Sequence, residues 1–78
     1  MLNIDSDLKE KCKNLFLAVC DELAQKIPEK APFFLALKRE ASDYKNFPII
    51  TNLGDVVADY YDMLDSSTIE KFVKMRAL

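Results

Sequence analysis

The stretch GDVVADYYDMLD, residues 54–65, gathers four aspartates and two adjacent tyrosines among large apolar residues. Clustered carboxylates can exchange protons with a substrate, hold a divalent cation, or offer a charged contact to a basic partner. Proton exchange near neutral pH needs one carboxyl whose pKa is raised by burial or by a like charge. On a helical wheel Asp55, Asp59 and Asp62 fall within about 60° of one another, on the wet side of the segment. Ile49, Ile50, Leu53, Val56, Val57, Tyr60, Tyr61 and Leu64 fill the opposite arc, about 140° wide. Solvated carboxylates at this spacing predict a charged outer rim or a contact stripe, with no catalytic acid among them. The D-x-D-x-D-G spacing of a calcium loop is missing.

Other chemistry is sparse. The chain has no histidine, which removes the commonest general base and metal ligand. Its single glycine rules out glycine-rich phosphate loops. Cys12 and Cys20 lie eight residues apart, about 12 Å along one helix, beyond the roughly 7 Å that a disulfide spans. They lack the C-x₂₋₄-C pairing of zinc sites and any neighbouring base that would activate a thiol. The expectation is two free structural thiols in a reducing compartment. No catalytic, cofactor-binding or metal-binding residue is assigned.

The elements that carry these residues are helical. Seventy-eight residues make one domain, 1–78, and a chain this short buries only about 60% of its unfolded surface. Half the residues are hydrophobic and 31% are charged, which fits a folded chain. One glycine and three prolines are too few for a turn-rich β fold. In the first helix, beginning near Asp5–Asp7, Leu8, Cys12, Leu15, Phe16, Val19, Leu23 and Ile27 share one face, with Cys20 at its margin. Pro28 ends it. The second opens at Pro32 and runs to about Lys45, with Phe33, Phe34, Leu37, Ala41 and Tyr44 inward. The third starts near Pro48 and carries GDVVADYYDMLD to Leu64. Ser67 and Glu70 form an S-x-x-E capping box for a fourth helix from Thr68 to about Ala77, with Ile69, Phe72 and Val73 inward. The fold expected is an all-α compact bundle of three to four short helices, with the third at its centre. The aromatic set Phe33, Phe34, Tyr44, Phe47, Tyr60 and Tyr61 is assigned to the core, with Tyr61 at the edge and its hydroxyl free for water or a partner.

Charge narrows the partners. Eleven basic against thirteen acidic side chains give a net of −2, which suits neither a nucleic-acid binder nor a DNA mimic. The longest apolar runs fall far short of the roughly 18 residues of a membrane span. MLNIDSDLKEK lacks a basic segment followed by an apolar core, so no signal peptide and a cytoplasmic location are expected. Leu17, Leu35, Met75 and Leu78 do not fit the inward faces; where two of them meet they would form an apolar contact patch. The leading expectation is a small non-enzymatic protein–protein interaction module, an inhibitor, adaptor or accessory subunit. Its contact residues are Leu17, Leu35, Asp55, Asp59, Asp62 and Tyr61, and self-association into a homo-oligomer is a further way to cover them. The alternative is a helix-turn-helix DNA-binding regulator over residues 55–74 with Lys71, Lys74 and Arg76 on its second helix. Asp59, Asp62 and Asp65 would then face phosphates, which disfavours it.

Overall fold

The computed structural model describes residues 4–43 and 48–76, and side chains over 8–43 and 48–75. Every regular element among them is helical. The order is α1 (Ile4–Lys26), a 3-10 turn (Pro28–Lys30), α2 (Ala31–Asp43), α3 (Ile49–Asp59), a second 3-10 turn (Tyr61–Met63) and α4 (Ser66–Arg76). The Cα atoms span 15 Å along the shortest axis. Two helix layers give that thickness, about 8–10 Å between axes plus roughly 2.3 Å of helix radius on each side.

The centre is α1, and this corrects the expectation that the third helix holds it. α1 packs against α2, α3 and α4 alike. At 23 residues it is about 34 Å long, enough for three shorter helices to lie along it. It supplies Cys12, Leu15, Phe16, Val19, Cys20 and Leu23 to the buried core. Phe34 and Ala41 come from α2, Ile49, Leu53, Val56 and Val57 from α3, and Leu64 from the last connection. The buried stripe of α1 is wider than the spacing of its apolar residues suggests. Cys20, expected at the margin, is fully buried, and Leu17 and Met75, expected as misfits, pack against the core.

Proline sets the first boundary as expected: Ile27 leaves the helix at φ −126°, ψ 75°, and Pro28 begins a tight turn that runs into α2. The third boundary differs. α3 ends at Asp59, and Tyr60 adopts φ −118°, ψ 25° while its N–H still donates to the Val56 carbonyl at 3.0 Å. Leu64 is then extended at φ −89°, ψ 147°, which turns its side chain into the core. α4 begins at Ser66. The Asp65 carbonyl accepts the Thr68 and Ile69 N–H groups at 3.0 and 3.1 Å, so Ser67 lies inside the helix and is not its cap. Phe33, Ile50 and Val73, read as inward, are more than half exposed. Tyr44, Phe47 and Leu78 lie outside the described residues.

Candidate functional site

The best-ordered polar feature joins α1 to the start of α4. Glu22 and Lys26, one helical turn apart, form an ion pair at 2.8 Å. Glu22 accepts the Asp65 N–H through Oε2 and the Thr68 hydroxyl through Oε1, both at 2.7 Å. Lys26 also donates to Asp65 Oδ1 at 2.9 Å and to the Met63 carbonyl at 2.7 Å. Backbone groups left over where α3 stops and α4 starts thus find partners on α1. Burial pushes the Glu22 carboxyl up, but the hydrogen bonds from Lys26, Thr68 and the Asp65 amide outweigh it and hold the group below its ordinary value. The same bonds, Glu22 first and Asp65 second, raise the Lys26 ammonium. The network ties α1 to the segment that opens α4. Sequence reasoning missed it because its contacts between α1 and residues 63–68 join positions 37 to 46 residues apart along the chain.

The carboxylate stripe does not survive as a stripe. Asp55 and Asp59 are exposed on α3, but Asp62 lies beyond the end of that helix in the second 3-10 turn. The wheel angle that grouped all three therefore does not apply to Asp62. Leu17 is partly buried against the core, while Leu35 is half exposed on α2.

Tyr61 and Asp62 do come together with residues of α4. Tyr61, Asp62, Leu64, Ser66, Ile69, Glu70 and Val73 line an open depression of about 520 Å³. Tyr61 and Val73 are each 57% exposed, the largest exposure among the bulky apolar side chains described. Asp62 and Glu70 give the depression an acidic rim. Tyr60 behaves differently from its neighbour: it is half-buried and meets the Phe34 ring edge-on at 5.2 Å, with Lys30 5.6 Å over its face.

Both thiols are free and buried. Burial, with Asp21 adding repulsion and Lys38 opposing it, pushes Cys20 up to about 12. Burial raises Cys12 as well, and its Sγ lies 3.4 Å from the Met75 sulfur. Among the described residues, no three acidic or thiol side chains gather to hold a metal ion, and no helix is long and apolar enough to cross a membrane.

The geometry expected of a helix-turn-helix is also altered. Six residues, with their own 3-10 turn, separate α3 from α4, where the motif uses a turn of about 3–4 residues. Lys71 and Lys74 are exposed and sit beside α1. No protein-family model, curated protein or solved structure matches this chain.

Proposed function

We propose that this chain is a non-enzymatic protein–protein interaction module that acts as an inhibitor, adaptor or accessory subunit by covering or bridging a partner's surface. The observation that supports this most is the exposure of Tyr61 and Val73 in one depression, rimmed by Asp62 and Glu70. A small domain that leaves an aromatic and a branched side chain more than half exposed on a concave, charged surface has the makings of a contact anchor. The partner segment it suits is apolar at its centre and basic at its flanks. Leu35, Asp55 and Asp59 lie elsewhere on the surface and are secondary contacts in this reading. Two free thiols suit a reducing, cytoplasmic setting.

The test is photocrosslinking in the native host, with a benzophenone amino acid placed in turn at positions 61, 35 and 55. A single protein adduct at position 61, lost in Val73→Glu, is the expected result. Adducts at none of the three positions would overturn the reading, and an adduct only with the chain itself would replace it by self-association.

A further inference from the structure

We infer that the groove between α1 and α4 is a second docking site, for an acidic amphipathic helix of a partner protein. Lys11, Asn14, Leu15 and Ala18 of α1 face Lys71, Lys74 and Met75 of α4 across an open groove of about 520 Å³. Leu15, Ala18 and Met75 give it an apolar floor. Three lysines edge it, and among the described residues no carboxylate lines it. Lys74 has one exposed contact, with Glu70 at 3.4 Å. Lys11 and Lys71 have no ion-pair partner among the described residues. Two cations without an ion-pair partner among the described residues, on opposite walls of an apolar groove, favour an occupant that brings negative charge on both flanks.

Shape selects the kind of occupant. Residues 11 to 18 cover two turns of α1, about 10 Å, so the groove accepts a few turns of a convex cylinder with anchors at i, i+4 and i+7. A helix satisfies its own backbone hydrogen bonds and tolerates a site open to water on one side. An acyl chain does not, because small apolar ligands are held by burying most of their surface. The groove is opposite in sign to the depression at Tyr61, and α4 divides the two, with the Glu70–Lys74 pair on the helix between them. The partner chemistry required is therefore distinct from that of the Tyr61 surface.

The probe is a synthetic amidated peptide of about 15 residues, with leucines at i, i+4 and i+7 flanked by glutamates, long enough to form a helix on binding. Controls are its scrambled isomer and vesicles of phosphatidylglycerol. Binding is read by fluorescence anisotropy and by amide shifts of the full-length chain. The expected result is saturable binding that weakens with salt, with shifts clustered at residues 11–18 and 71–75. Lys11→Glu with Lys71→Glu, both exposed and so compatible with folding, weakens binding about tenfold. Val73→Glu leaves it unchanged, which separates this site from the one at Tyr61. No saturable binding at millimolar peptide, equal binding of the scrambled isomer, or indifference to the lysine reversals would each overturn the proposal. So would preferential capture by the vesicles, which would make the groove a lipid contact. Self-association abolished by the lysine reversals would assign the groove to a second copy.

Discussion

Glu22 on α1 accepts a hydrogen bond from the Thr68 hydroxyl at 2.7 Å across 46 residues of chain, and its other oxygen takes the Asp65 N–H at the same distance. One carboxylate therefore holds both the residue before α4 and a residue of its first turn. Replacing it with alanine leaves the Asp65 amide, the Thr68 hydroxyl and Lys26 without their shared acceptor. Glu22→Ala is expected to lower stability by about 1 kcal/mol, the net worth of an acceptor shared by one part-buried donor, the Thr68 hydroxyl, and exposed donors on Asp65 and Lys26. Urea denaturation followed by circular dichroism should show a lower midpoint with an unchanged slope. An unchanged midpoint would mean that water replaces the carboxylate at no cost.

The same residue sets an acid limb of stability. The folded-state pKa of Glu22 lies below its ordinary value of 4.5. A depressed carboxylate contributes stability that is present above 4.5 and is lost as pH falls through the folded pKa. Lys26 has the opposite sign: it is raised above 10.5, so its contribution is present below 10.5 and is lost as pH rises through the folded pKa. The pH–stability profile of Glu22→Ala should flatten below about pH 4.5 relative to the parent chain. At neutral pH the two proteins should differ by a constant amount. Parallel profiles down to pH 2 would assign the acid limb to other carboxylates.

Gly54 is a third point of leverage. It sits in the middle of α3, and a Cβ added there would meet nothing within 4 Å. Glycine costs about 1 kcal/mol against alanine in a helix interior, mostly through the freedom of the unfolded chain. Gly54→Ala should raise stability by about that amount, and Tm by roughly 4–8 °C for a domain of this size. A calorimetric scan decides it. A lower Tm would mean that the open space beside Gly54 is needed for motion of α3 or is filled in solution.

Much of the fold was legible in the residues. The stripe Cys12, Leu15, Phe16, Val19 and Leu23 is buried as its spacing predicts, and Pro28 ends α1 where its missing donor requires. What escaped is tertiary. The periodicity of residues 49–64 runs on as one helix, yet α3 stops at Asp59, and beyond it Lys26 and Glu22 bond the backbone of Met63 and Asp65. That early stop takes Asp62 off the helix carrying Asp55 and Asp59 and sets it beside Tyr61 and Val73. Local pattern cannot show a capping group supplied by another helix. For the same reason Val73, at helical spacing from Ile69, read as inward: the early stop and the position of α4 on α1 leave it outside. Of the expected contact residues, Tyr61 and Asp62 share a surface because the connection turns, which wheel geometry did not anticipate.

The thiols give the last prediction. Cys20 is fully buried and Cys12 nearly so, and Cys20 has its pKa pushed up to about 12. Nucleophilic attack needs both the thiolate and access for the reagent. At pH 8 a group of pKa about 12 is thiolate in roughly one molecule in ten thousand. Labelling by an aromatic disulfide should therefore be limited by opening of the structure, and the rate should level off as reagent concentration rises. Each thiol reports a different contact: Cys12 lies against Met75 of α4, and Cys20 lies beside Asp21, which pairs with Lys38 of α2 at 2.6 Å. α4 adds only partly buried side chains to the core, so Cys12 should react before Cys20, and Glu22→Ala should speed Cys12 selectively. Mass spectrometry of the partly labelled chain resolves the order. Equal rates at both sites in both proteins would mean that the domain opens only as a whole.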